Sequence, residues 1–286
     1  MLKVAVIDTP EMANERKREL DIDRRRAINL GNSALEAGLL GFYDHSGEKI
    51  DWEHLVKAAY AGKVTIPPDM PLPENSTASK LQTIIEITNE TTLSASKRLI
   101  ESGLNPLALN FANGKHPGGG FLNGARAQEE NLCRSSALYH TLLGDQMYEN
   151  HRNLVDSSEW AIYSPDVPVF RTDDGATINQ PWLLSFITCA APYARSIGQL
   201  SASELLRKRI YRVLEISRAY NYSSLILGAW GCGAFGNDPW TTAKDFKHYL
   251  TNDFKGAFDT VVFAITDWST ERRFIKPFRE VFEGDM

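Results

Sequence analysis

The spacing of apolar and polar positions divides the chain into two parts with different rhythms. From Glu11 to Leu40, Leu20, Ile28, Leu35 and Leu39 recur at helical intervals within dense charge, including Arg24-Arg25-Arg26. Residues 51–61, DWEHLVKAAYA, predict a second short helix with Asp51 placed to cap it. Ahead of these lies only a four-residue apolar stretch, Val4 to Ile7, so the first 66 residues are expected to be helical. The stretch PPDMPLPENS follows, and its four prolines (Pro67, Pro68, Pro71, Pro73) predict a stiff connector. The expected organisation is a helical N-terminal extension over 1–76 and a second domain over 77–286.

Beyond the connector, short aliphatic or β-branched runs alternate with helical periods. Strands are predicted at 83–87, 107–111, 160–163, 183–189, 225–228 and 260–265, and helices at 92–102, 129–143, 202–220, 239–250 and 271–282. That alternation predicts an α/β domain, with helices on both faces of a mostly buried sheet.

Composition narrows the function classes. The 286 residues are 43% hydrophobic and 23% charged, an ordinary globular balance. With 31 Lys+Arg against 36 Asp+Glu the net charge is −5, so no bulk binding of duplex nucleic acid is expected. The Arg-rich N-terminal helix reads as a solvated face of ion pairs or as a guide for a polyanion, and the sequence does not choose. No apolar run reaches the roughly 18–20 residues of a membrane span, and the N-terminus does not read as a cleavable secretory signal. Cys133, Cys189 and Cys232 are scattered and form no CxxC pair, and no histidines pair as metal ligands. A cytoplasmic protein with reduced thiols, no metal and no cofactor is the expectation; export without a cleavable signal stays open.

Two glycine-rich loops follow predicted strands. The first runs from Asn110 through Asn113 to Gly118-Gly119-Gly120. Ordering three consecutive glycines is entropically costly, which a ligand approached by bare backbone amides would justify; a plain wide turn is the other reading. In the second loop Gly231, Gly233 and Gly236 fit GxGxxG, with Cys232, Ala234 and Phe235 between them and Pro239 placed to open a helix. A dinucleotide oxidoreductase needs that motif in its first βαβ unit with an acid closing the next strand, whereas the acid here is Asp267 at a later strand end. A diphosphate cradle is compatible with the same loop. Cys232 lacks a recognisable base and is a weak candidate nucleophile. Trp230 reads as core, His116 as a loop hydrogen-bonder, and Phe235 as either core or a stacking platform.

Between the loops lies Gln128-Glu129-Glu130, after a seven-residue spacer from Gly120. Two acids in a first helical turn suit the helix dipole, and that alone would explain them. Their short tether to the glycine loop also lets them face whatever it holds. Consecutive helix residues leave the axis about 100° apart, so the two cannot flank one glycosidic bond as paired glycosidase carboxylates do. One would act as acid and base, and the other would position hydroxyls.

The ordered set Asn110-Phe-Ala-Asn113, Gly118-Gly119-Gly120, Gln128-Glu129-Glu130 and Gly231-Cys-Gly-Ala-Phe-Gly-Asn-Asp-Pro239 resembles the bacterial type of the poly(ADP-ribose) glycohydrolase family, over roughly residues 80–286. The resemblance implies a macrodomain-like three-layer α/β/α sandwich with a mixed sheet, binding ADP-ribose without a metal. It implies Glu130 as the catalytic acid, Glu129 and Asn113 on the ribose, Gly118, Gly119 and Gly120 in the catalytic loop, and Gln128 among the ADP-ribose-binding residues. Gly231, Cys232, Gly233, Ala234, Phe235 and Gly236 would form the diphosphate loop, and Asn89 and Glu90 would lie near the adenine edge. Glu130, shielded and beside a like charge, is expected to hold its proton above the usual range. Poly(ADP-ribose) or an ADP-ribosylated protein would be the substrate and ADP-ribose the product. Two alternatives are a mono-ADP-ribosyl hydrolase acting on Ser-, Thr- or nucleic-acid-linked ADP-ribose, and a reader that binds without cutting. The second acid counts against the reader.

Overall fold

The computed structural model describes residues 2–74 and 82–284. The boundary expected at 76/77 and the end of the proline-rich connector lie outside the described residues. Pro67 to Glu74 form neither helix nor strand.

The chain begins β1 (Leu2–Ile7), α1 (Pro10–Leu20), α2 (Arg24–Leu40), β2 (Phe42–His45), β3 (Glu48–Asp51), α3 (Glu53–Gly62) and β4 (Val64–Ile66). It continues β5 (Thr83–Thr88), α4 (Thr92–Glu101), β6 (Pro106–Ala112), a 3-10 turn (Phe121–Asn123), α5 (Gln128–Ser135), α6 (Leu138–Leu142) and α7 (Gln146–His151). Then come β7 (Ala161–Arg171), β8 (Thr177–Ala190), α8 (Ala194–Ile197), α9 (Gln199–Ala219), β9 (Ser224–Leu227), α10 (Pro239–Thr251), β10 (Thr260–Ala264) and α11 (Ile275–Glu283).

These elements group into two units, and β6 passes from one into the other. The first comprises Met1–Lys17, Pro68–Leu109 and Ala191–Met286. Its strands lie in the order β1-β5-β10-β9-β6, and the pairings β1–β5, β5–β10, β10–β9 and β9–β6 are all parallel. Every residue of β9 and β10 is buried, so this part of the sheet is covered on both faces. Phe263 of β10 packs against the rings of Phe246, Phe278 and Phe282 with centroids 5.0–5.3 Å apart.

The second unit, Arg18–Pro67 and Asn110–Ala190, is antiparallel where its strands pair in sequence. β7 and β8 form a long hairpin with two register shifts, and β4 pairs with β7 from Val64↔Tyr163 to Ile66↔Ala161. Its core holds Tyr43, Trp52 and Phe170, with ring centroids 4.6–5.3 Å apart, and Trp52 Nε1 donates to Ala37 O at 3.0 Å. The expected mixed α/β sheet is therefore present, parallel in one unit and antiparallel in the other.

The N-terminal 66 residues depart from the helical expectation. The helices are there, interrupted before Asp23, whose side chain accepts from Arg26 N at 2.9 Å and caps α2. The segment also carries four strands. The apolar stretch at Val4–Ile7 is β1, paired residue by residue with β5 from Leu2↔Thr83 to Ile7↔Thr88. β2 and β3 close a two-residue hairpin at Ser46-Gly47, both at positive φ (54° and 87°), the geometry of a primed turn. The helix expected over 129–143 breaks into α5 and α6. At the break β7 takes over the backbone: Ala137 N donates to Pro168 O at 3.0 Å, Ser136 bridges Val169, and Arg171 donates to Arg134 O.

Candidate active site

In the second unit, strand, loop and helix converge on two carboxyls. Residues 110–112 end β6, and the Phe111 amide donates to Gln128 Oε1 at 2.9 Å, pinning the start of α5 to the strand. Glu129 is 3% exposed. Its Oε2 accepts the Asn113 amide at 2.7 Å, and its Oε1 accepts Asn110 Nδ2 at 3.3 Å. Thr188 Oγ1 of β8 accepts from the same Asn110 nitrogen at 3.2 Å. Glu130 is 8% exposed and accepts the Gly120 amide on Oε1 at 3.0 Å. Its other oxygen, Oε2, is buried and has no hydrogen-bond partner among the described residues.

The glycines of this loop answer a geometric requirement. Gly118 and Gly119 adopt φ of 68° and 57°, where a side chain is strained. A Cβ at Gly119 would collide with Glu130 Oε1 and lie 2.9 Å from Glu129 Oε2. Asn113 shapes the turn through Oδ1, which accepts from Lys115 N and His116 N at 2.9 and 3.0 Å. His116 takes part through its backbone, its carbonyl accepting from Gly119 N.

Burial pushes the Glu129 carboxyl well above the ordinary glutamate range, opposed by the Asn113 amide and reinforced by the neighbouring Glu130 charge. Cys133, one turn along α5, is raised as well, first by burial and then by the two glutamates.

The second glycine loop belongs to the first unit. Gly231 has φ 75°, and a Cβ there would come 2.5 Å from Asn237 Nδ2 and 2.7 Å from Ala191 Cβ. The Asn237 amide closes the loop by donating to Pro192 O (2.8 Å) and Gly231 O (3.1 Å). Gly236, at φ 76°, packs against the Arg195 stem, and Gln199 Nε2 donates to Gly236 O at 2.6 Å. Among the described residues, its two chain neighbours aside, no heavy atom stands within 4 Å of a Cβ built on Gly233, so the crown of the loop is open. Phe235 meets Tyr193 edge-on at 5.4 Å, while Trp230 is fully buried as core. Asp238 caps α10 through Thr241 N at 2.7 Å, with Pro239 in the first turn.

Cys232 is buried, its Sγ 3.6 Å from Trp230 O and 3.5 Å from Thr242 Oγ1, and burial pushes its thiol up to about 12. Such a thiol is protonated at neutral pH and is no nucleophile. Asn89 is fully buried at the end of β5, with Nδ2 donating to Asp8 Oδ1 (2.8 Å) and Asp267 O (2.7 Å) and Oδ1 accepting Asp267 N (3.1 Å). Its side chain thus ties strand ends together. Both Glu90 oxygens accept from Arg98, at 3.1 and 2.8 Å.

The sequence names Asn110 and Asp267 but not their contacts with Glu129 and Asn89, and Asp8, Tyr193, Arg195 and Gln199 carry no motif that a reading of sequence alone would find. Among the described residues no group of three His, Cys, Asp or Glu side chains is gathered as a metal site requires, and no helix is long and apolar enough to cross a membrane.

The family model Microbial-type PARG, catalytic domain, matches residues 32–172. Among solved structures, a poly(ADP-ribose) glycohydrolase from Thermomonospora curvata is 37% identical, with 90% of this chain and 100% of that one covered and a TM-score of 0.83. The same enzyme bound to the inhibitor ADP-HPD matches with 37% identity, coverage of 90% and 99%, and a TM-score of 0.82. A Deinococcus radiodurans poly(ADP-ribose) glycohydrolase in complex with ADP-ribose is 36% identical, with coverage of 81% and 98% and a TM-score of 0.73. No curated protein matches this chain.

Proposed function

This chain belongs to the microbial-type poly(ADP-ribose) glycohydrolase family, and from that premise we propose that it cleaves the ribose–ribose O-glycosidic bonds of poly(ADP-ribose) and releases ADP-ribose, with Glu130 as general acid and base. The observation that carries this reading is the asymmetry of Glu130. One oxygen is fixed by the Gly120 amide, and the other is buried and unengaged among the described residues, as a proton donor to a substrate oxygen must be.

The chemistry follows from the pair. Two adjacent buried carboxyls resist being charged together, so the pair shares a proton, with burial raising Glu129. Glu130, the member with the unengaged oxygen, delivers it to the departing ribose oxygen as the C1″–O bond breaks and positive charge develops on the ribosyl ring. Glu129, held by Asn113 and Asn110, cannot turn to the opposite face of the sugar and instead positions ribose hydroxyls. Water attacks the oxocarbenium centre, and Glu130, now a carboxylate, takes up its proton, which restores the starting state. The open crown at Gly233 and the positive-φ glycines beside it suit backbone amides that bind a diphosphate.

Glu130→Gln keeps the shape and removes the transferable proton. The expected result is ADP-ribose binding close to wild type by calorimetry and ADP-ribose release from polymer lowered by at least about a thousandfold. A Gln variant with wild-type turnover would end the assignment. Running the wild type on polymer and on singly modified protein side by side distinguishes cleavage of the polymer from removal of the last unit, and binding without release from both.

A further inference from the structure

His151, the last residue of α7, is a fully buried imidazole that the chemistry above does not use. Its Nδ1 stands 3.0 Å from Gly114 O, and its Nε2 stands 3.2 Å from the Ser158 amide nitrogen and 3.0 Å from Ser158 Oγ. A backbone amide can only donate, so Nε2 accepts, the ring proton resides on Nδ1, and Nδ1–H donates to the Gly114 carbonyl. Gly114 is closely confined: a Cβ there would lie 2.6 Å from Ser157 Cβ and 3.1 Å from Ala190 Cβ. The residue before it is Asn113, whose amide donates to Glu129 Oε2 at 2.7 Å. At the exposed side Lys115 Nζ donates to Leu154 O at 2.7 Å, a second tie between the same two segments.

We propose that His151 is a positioning residue for the glycohydrolase reaction: by gripping the Gly114 carbonyl it fixes the Asn113 amide, and through that amide the orientation of Glu129. The proposal rests on the role given to Glu129 and Glu130 above. It assigns a function to a buried histidine with no reacting atom of its own, acting through the backbone of two consecutive loop residues, Asn113 and Gly114.

Two near-isosteric variants separate positioning from packing. An asparagine amide nitrogen reaches where Nδ1 sits, so His151→Asn keeps the donor to Gly114; a glutamine amide reaches the Nε2 position, so His151→Gln keeps only the Ser158 side. Expected is a kcat on polymer within about threefold of wild type for His151→Asn and about ten- to a hundredfold lower for His151→Gln, with KM little changed, because a misplacement near 1 Å costs up to about a hundredfold. Melting temperatures measured alongside should fall similarly in both variants. Equal kcat in the two variants, or a kcat loss that follows the melting temperature, would overturn the proposal. A wild-type protein that releases no ADP-ribose in the same assay would instead remove the hydrolase reading on which it rests.

Discussion

Gly119 is the glycine of the first glycine-rich loop at which a side chain and Glu130 Oε1 would occupy the same space. Its φ of 57° adds a backbone preference to that steric demand. Gly119→Ala should therefore push the Glu130 carboxyl off the Gly120 amide and lower kcat by about a hundredfold. Circular dichroism and a melting curve establish that the variant is folded, and initial rates on polymer measure the effect. A folded Ala variant with wild-type kcat would show that Glu130 works from another orientation.

Glu129 makes stability depend on pH in a definite direction. Its folded carboxyl binds a proton more tightly than the same group in the unfolded chain, because burial raises it. The folded state therefore holds the extra proton as pH rises above the ordinary glutamate range, and stability falls with pH until the raised value is passed. Glu129→Gln removes that loss. The variant should melt above wild type at pH 8, with the difference shrinking toward pH 4.5, when both are scanned across that range. A difference that grows toward acid pH would contradict the assignment.

Gly231→Ala tests the second loop. The new methyl would meet Asn237 Nδ2 and Ala191 Cβ, and displacing Asn237 breaks the bonds to Pro192 O and Gly231 O. ADP-ribose affinity should weaken by about tenfold or more, equivalent to at least about 1.4 kcal/mol. Calorimetric titration with ADP-ribose reads it directly, and unchanged affinity would exclude this loop from the binding surface.

Gly31→Ala sets two effects against each other in α2. Alanine favours an exposed helix interior by about 1 kcal/mol over glycine. Here the added Cβ would come 2.7 Å from the Phe121 carbonyl oxygen, a backbone atom that can give way only by moving the 3-10 turn. The steric effect should win, with the melting temperature falling where helix propensity alone would raise it, and kcat falling with it because that turn follows directly on Gly120. A higher melting temperature would show that α2 is loosely seated.

The candidate catalytic segment was legible because it is local. Asn113, Gly118–Gly120 and Gln128–Glu130 lie on one strand–loop–helix passage, so the order of residue types already states which groups meet. The fully buried strands of the first unit were legible too, since β9 and β10 need apolar residues on both faces and carry the runs Leu225–Leu227 and Val261–Ala264. The break between α5 and α6 was not, because the helical period continues through it while β7 captures the backbone at Ser136 and Ala137.

By itself the sequence determined the α/β class, the family, the two glycine loops and the acidic pair between them, all properties carried by residues close along the chain. Only the tertiary structure decided that Val4–Ile7 is a strand, that Asn89 is spent on Asp8 and Asp267, that burial raises Glu129, and that His151 holds Gly114. Each of these depends on a partner far away in sequence. Hydrogen-bond pairing and desolvation are set by which distant groups are brought together, and neither leaves a period in the chain.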